Sequence, residues 1–127
     1  MNDSLCILGL GSNTDATTQL AFAREMLQTI FSDIRFSSIL ETKAIGSDFH
    51  SPFLNQVAIF HSQLSAYDIR KKLKKIERQA GRLPGDKSQG IVKLDIDLII
   101  YDSKVLKKND LMRDFVQQGI NELREQY

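Results

Sequence analysis

The sequence predicts an α+β fold of the ferredoxin-like sandwich type, an antiparallel sheet with helices on one face. Two observations carry that prediction. Hydrophobic patterning runs strand, helix, strand, strand, helix, strand, so two strand–helix–strand units share one sheet. The 127 residues, 42% hydrophobic and 26% charged, have the composition of one globular domain spanning 1–127, and no linker or repeat divides them.

The first strand is the apolar run Leu5-Cys6-Ile7-Leu8-Gly9-Leu10, closed by Gly11-Ser12-Asn13. That turn reads as the start of a helix, with Ser12 or Asn13 near its cap. Over 15–31, Leu20, Ala23, Leu27 and Ile30 recur at three or four residues and make an amphipathic helix. A second strand runs over 34–42. A loop with Gly46, Asp48 and Pro52 leads to a third strand at 53–63, rich in aromatic and β-branched residues.

The second helix has the clearest signals. Ser65 caps it, Asp68 stands three residues on, and Leu64 and Ile69 flank the cap as a hydrophobic staple. Ile69, Leu73, Ile76 and Ala80 form its apolar stripe, and Gly81 stops it. A loop at 82–92 follows, then a fourth strand over 93–101. The remainder, 108–127, reads as a polar helix or fraying tail.

Composition also excludes functions. Seventeen Lys+Arg against sixteen Asp+Glu leave a net charge of +1, which gives no global field for nucleic acid. The cations of the second helix surround its apolar stripe as a solvated face. No apolar run approaches the ~18 residues of a membrane span, and the acidic start Met1-Asn2-Asp3 argues against a secretory signal. The lone Cys6, in an apolar run, reads as a buried small hydrophobe in a cytoplasmic protein. His50 and His61 lie eleven residues apart without neighbouring ligands, which argues against zinc. Gly9-Leu10-Gly11 lacks the third glycine of a dinucleotide fingerprint.

Two stretches can carry chemistry. Asp is depleted in strands, yet Leu94-Asp95-Ile96-Asp97-Leu98-Ile99-Ile100 holds two in a β-forming run. Alternate strand residues share a face ~6.5–7 Å apart, so the two carboxylates can converge on hard divalent cations. Two such ions would clamp a polyphosphate. A solvated outer face explains the same pattern. Phe53 and Asn55 also share a face, and a ring beside a primary amide suits a planar heterocycle with an amide-like edge. A core Phe beside a turn-forming Asn is the alternative.

In order along the chain, Gly11-Ser12-Asn13, Glu41-Thr42, Phe53-Leu54-Asn55, Ile76-Glu77 with Gly81-Arg82, and Leu94-Asp95-Ile96-Asp97 resemble the 6-hydroxymethyl-7,8-dihydropterin pyrophosphokinase family over about 7–106. The resemblance implies diphosphate transfer from ATP to a pterin alcohol, with AMP released. It implies that Asp95 and Asp97 hold two Mg²⁺ ions on the ATP phosphates, and that Thr42, Ile45, Phe53 and Asn55 form the pterin side. Arg82 is implied at the phosphates, with Glu77 matching a family position on the nucleotide side.

The chain departs from that pattern elsewhere. Val92 stands where an arginine is expected, there is no Trp, and no histidine follows His61. An ungapped reading puts Asp114-Phe115-Val116 where the family has a Pro-His stretch, and the chain stops at Tyr127, short of the family's usual C-terminal part. Lys74, Lys87 and Lys93 are candidate replacements for the lost cations, although a lysine lacks the guanidinium fork. Lys93 is expected to share a face with Asp95 and pair with it until ATP arrives. Two other functional readings stand beside the enzyme. One is a pterin-binding protein without efficient catalysis. The other is an interaction domain whose aspartates pair with surface cations.

Overall fold

The computed structural model describes residues 3–43 and 51–125. β1 (Ser4–Ser12) is the centre of the sheet, because its side chains are apolar in both directions. Cys6, Leu8 and Leu10 enter one hydrophobic cluster and Ile7 enters a second on the opposite face. β1 pairs antiparallel with β4 (Phe53–Ser62) on one side and β5 (Asp95–Tyr101) on the other. β2 (Arg35–Phe36) and β3 (Leu40–Thr42) both pair with β4, and β6 (Lys104–Val105) turns back on β5 through Asp102, whose φ is 59°. The order β2-β4-β1-β5-β6 is the ferredoxin-like arrangement that the alternation of elements predicts.

The two long helices pack on one face as expected. α1 (Ala16–Ile30) buries Leu20, Ala23 and Leu27, and α2 (Ala66–Gln79) buries Ile69, Leu73 and Ile76, against Ala58, Phe60, Ile96 and Leu98. Phe31 stacks on Phe60 with ring centroids 3.9 Å apart. Ser65 caps α2 by accepting from the Asp68 N–H at 3.1 Å.

Three local expectations change. The strand expected over 34–42 is broken into β2 and β3, and one extra residue between them shifts the register on β4. Ser37 fills the gap: its N–H donates to Val57 O and its Oγ accepts from Val57 N, at 2.8 and 2.9 Å. Neither Ser12 nor Asn13 caps α1, whose cap position is Asp15 in the left-handed region. Asn13 instead holds the approach to β5, accepting from Val92 N at 2.7 Å and donating through Nδ2 to Gly90 O at 2.9 Å. β5 begins at Asp95, since Lys93 sits in a bend.

Of the two alternatives expected for the C-terminal segment, it is the helix and not the fraying tail, with an apolar stripe that the sequence reading did not mark. After the short α3 (Lys108–Leu111), α4 (Asp114–Glu125) lays Val116, Ile120 and Leu123 over Ile7, Val57, Ile59 and Ile99 on the second face. A β-carbon on Gly119 would stand 2.5 Å from Val57 Cγ2, so the helix backbone itself rests on the sheet. Glu122 accepts from the Ser38 N–H and hydroxyl at 2.9 and 2.8 Å. The stripe escapes the sequence reading because three apolar side chains and one glycine suffice where the backbones approach this closely.

Candidate active site

Beside α4 lies a cavity of about 850 Å³, its floor on the face opposite α1 and α2 and its wall reaching round the edge of β5 to Arg70, Lys74 and Glu77 of α2. Register builds its floor. Gly11 on β1 faces Asn55 on β4 and Asp95 on β5, and Gly9 faces Val57 and Asp97. Residues directly opposite in an antiparallel pair share a face, so Asn55, Gly11 and Asp95 form one row across three strands. At ~4.8 Å per strand, the ends of that row are separated by the length of a small ligand. A β-carbon on Gly11 would lie 3.3 Å from Asn55 Oδ1, and one on Gly9 would lie 2.9 Å from Ile99 Cδ1, so glycine leaves the floor open.

At one end Asn55 is buried, and its Nδ2 donates to Leu40 O at 3.2 Å and to Thr42 Oγ1 at 2.8 Å. Both internal bonds fix the amide with its oxygen toward Gly11. Thr42 and Phe53, a cross-strand pair, line the same cavity. The structure therefore brings three of the four expected heterocycle contacts together. Ile45, like His50, lies outside the described residues.

At the other end Asp95 and Asp97 point to one face of β5, as alternation requires. Burial, followed by the charge of Asp95 and a hydrogen bond that the protonated Asp97 donates to it, pushes the Asp97 carboxyl up to about 7. Two half-buried carboxyl groups on one strand face, both lining the cavity, form an oxygen-only donor set that fits Mg²⁺.

Arg82 supplies the nearest cation. Its NH1 lies 3.0 Å from Asp95 Oδ1 and 3.0 Å from Glu77 Oε2, and it also donates to Leu94 O at 3.3 Å. Glu77, 7% exposed, accepts from the Ile96 N–H at 2.8 Å. That N–H belongs to the free edge of β5, and a carboxylate from α2 satisfies it. Burial drives the Glu77 pKa up, with the Ile96 hydrogen bond and Arg82 opposing. Glu77 thus acts here as an anchor between helix, strand and arginine.

Lys93 does not join Asp95. Its ammonium pairs with Asp86 at 3.2 Å and donates to Gly81 O at 2.8 Å. The Leu83 N–H above all, with Lys93 beside it, holds Asp86 below the usual carboxylate range. The expected pairing fails because strict alternation applies only inside the strand, and Lys93 precedes it. Lys74 and Lys87 do line the cavity. So does Val92, 8% exposed, at the position where an arginine is expected. Lys107, Asp110 and Arg113, which no sequence motif marks, line the cavity as well.

Comparison with known proteins shows the family. The family model "7,8-dihydro-6-hydroxymethylpterin-pyrophosphokinase (HPPK)" matches residues 7–125. The chain belongs to the HPPK family. It is 33% identical over 101 residues to the 2-amino-4-hydroxy-6-hydroxymethyldihydropteridine pyrophosphokinase of Aquifex aeolicus, a match that covers 79% of this chain. This HPPK-family chain spans only 62% of that relative's length. Among solved structures, the C-terminal domain of the MgtC protein from Mycobacterium tuberculosis aligns with a TM-score of 0.43 at 10% identity, covering 76% of this chain and 87% of that one. That likeness is too slight to bear on function.

Proposed function

We propose that this HPPK-family chain transfers diphosphate from ATP to the hydroxymethyl group of 6-hydroxymethyl-7,8-dihydropterin, a step in folate biosynthesis. The observation that carries the proposal is the Asn55–Gly11–Asp95 row, which sets a primary amide and a carboxylate pair on one open floor. Asn55, oriented by Thr42 and Leu40 O, accepts from the amide-like edge of the pterin, and Phe53 flanks the ring. The pterin hydroxyl oxygen bonds to the β-phosphorus, the bond from that phosphorus to the α-phosphate oxygen breaks, and AMP leaves as the alcohol proton is released. Asp95 and Asp97 would hold Mg²⁺, two ions in this reading. When bound, the metal supplies positive charge against the triphosphate. Arg82, 3.0 Å from Asp95, stands where a guanidinium can turn to the phosphates, and Lys74 adds charge from α2.

Among the described residues no helix is long and apolar enough to cross a membrane. We place the protein in the cytoplasm, with a pterin and ATP as its partners and neither nucleic acid nor membrane among them. The decisive assay is AMP release from Mg²⁺-ATP with and without hydroxymethyldihydropterin, and pterin-dependent release is the expected result. A chain that binds no pterin at millimolar concentration sinks the assignment. Val92 in place of an arginine favours a second reading, in which the cavity binds pterin and transfer is slow. Pterin binding without AMP release would establish that reading.

A further inference from the structure

On the proposed pterin reading, we infer that Gln56 and Ser37 are positioning residues: they staple the bulge between β2 and β3 and so turn Thr42 toward the ligand. Register makes the need for a staple plain. On β2, Phe36 pairs with Ala58, and both pack beneath α1 and α2. Continued in that register, Leu40 would stand opposite Leu54, which packs under the same helices, and Thr42 would follow onto that face. Instead Leu40 pairs with Asn55 and Thr42 with Phe53, both partners lining the cavity. One extra residue therefore decides whether Thr42 Oγ1 lies 2.8 Å from Asn55 Nδ2 or faces the helices.

A bulge leaves backbone groups out of the ladder, and buried ones must find other partners. Ser37 keeps its N–H on Val57 O at 2.8 Å, but its Oγ, in place of a carbonyl, accepts from Val57 N at 2.9 Å. The Ser37 carbonyl is thereby displaced, and Gln56 Nε2 donates to it at 2.6 Å. Arg24 Nη1, from α1, donates to Gln56 Oε1 at 3.0 Å, so the helix layer holds the amide in turn.

Gln56 stands opposite Leu10 on β1, on the face that α1 and α2 cover, and is 5% exposed. A primary amide among Leu8, Leu10, Ala58 and Phe60 costs free energy unless its ends are bonded, and both ends are. Its neighbour Asn55, on the opposite face, takes Leu40 O at 3.2 Å. Adjacent amides on β4 thus clamp the bulge from both faces, one before the register shift and one after it. Gln56 never reaches the cavity; its effect on a ligand passes through Thr42.

Nuclear magnetic resonance and calorimetry on the intact protein test this together. Gln56→Met removes both amide ends at similar volume, and Ser37→Ala removes the hydroxyl from the ladder. In each variant the cross-strand nuclear Overhauser contacts Leu40–Asn55 and Thr42–Phe53 should weaken or vanish, while Phe36–Ala58 persists. Hydroxymethyldihydropterin affinity should fall by about tenfold, with Mg²⁺-ATP affinity unchanged. Gln56→Glu, which keeps an oxygen for Arg24 but no donor for Ser37 O, should behave like Gln56→Met. Phe60→Leu, on the same strand and face but away from the bulge, should keep all three contacts and wild-type pterin affinity. Intact Leu40–Asn55 and Thr42–Phe53 contacts in both Gln56→Met and Ser37→Ala overturn the inference. Lost contacts with wild-type pterin affinity also overturn it, because the face of Thr42 would then not matter to the ligand. Equal loss of pterin and Mg²⁺-ATP binding, or loss of the same contacts in Phe60→Leu, overturns it as general loosening. A wild-type protein that binds no pterin overturns the proposed reaction instead, and the register contacts in the absence of ligand tell the two failures apart.

Discussion

In the proposed site Asp95 would serve both a metal and Arg82, and the two would compete. Burial disfavours the charged guanidinium, and Glu77 and Asp95 together outweigh that and hold it charged and in place. Exposed ion pairs contribute ~0–1 kcal/mol, so removing this one should tighten nucleotide-free Mg²⁺ or Mn²⁺ binding by about two- to fivefold in Arg82→Gln. The same variant should lose about 10³-fold in AMP release, the low end of what a phosphate-facing arginine is worth. Manganese titration by electron paramagnetic resonance reads the first effect, and weaker metal binding in the variant would remove Arg82 as a competitor. Asp97 offers a pH signature. Its folded pKa of about 7 exceeds the ~3.9 of an unfolded aspartate, so the folded state keeps a proton that the unfolded chain releases. Stability of the metal-free protein must therefore fall as pH rises between those values. Allowing for solvent screening, Asp97→Asn should be more stable than wild type at pH 8 by about 1 kcal/mol, with the gap closing near pH 4. Urea unfolding in EDTA at both pH values checks the sign. At this scale the sequence shows Asp95, Asp97, Thr42, Phe53 and Asn55 because each lies in or beside a strand whose alternation sets its face. Arg82 is marked only by the family resemblance and the partner of Lys93 is not legible, since a loop and a bend let side chains choose partners by distance rather than period.

α1 and α2 are legible because each alone has a stripe wide enough to declare a face. α4 is different: Val116, Ile120 and Leu123 mean little until Val57, Ile59 and Ile99 are known to lack a cover. Gly119 makes this testable. On helix propensity alone Gly119→Ala should stabilise α4 by about 1 kcal/mol. The contact with Val57 reverses the expectation, because a β-carbon 2.5 Å from Cγ2 forces helix and sheet apart. The variant should be destabilised by about 1–3 kcal/mol in thermal unfolding. A stabilised Gly119→Ala would mean that α4 does not rest on the sheet. Glu122 ties the same helix to the bulge between β2 and β3, one turn of chain before Thr42. Glu122→Ala should therefore weaken pterin binding by a few fold, read by calorimetry, with wild-type affinity meaning that the latch does not steady Thr42.

Over the whole molecule, acids and bases nearly cancel, and it is their placement that gives the cavity a field. Counterions screen charges beyond ~10 Å at 0.1 M salt, so the nucleotide and the pterin should respond differently to ionic strength. Mg²⁺-ATP affinity should fall steeply between 0.05 and 0.5 M NaCl, while hydroxymethyldihydropterin affinity, held by neutral hydrogen bonds and ring contact, should stay nearly level. Equal salt slopes in calorimetry would show that the cations around the cavity do not act on the ligand. By itself the sequence determined what local period and capping can decide: β1 buried on both faces, α1 and α2 on one side, the Asp95–Asp97 pair and the Phe53–Asn55 pair. Tertiary structure decided what depends on register between distant strands. Only the pairing of β1 with both β4 and β5 sets Asn55, Gly11 and Asp95 in one row, and only the bulge between β2 and β3 turns Thr42 to the same face. The row joins residues 40, 44 and 84 positions apart, and no periodicity within a segment encodes the distance between segments.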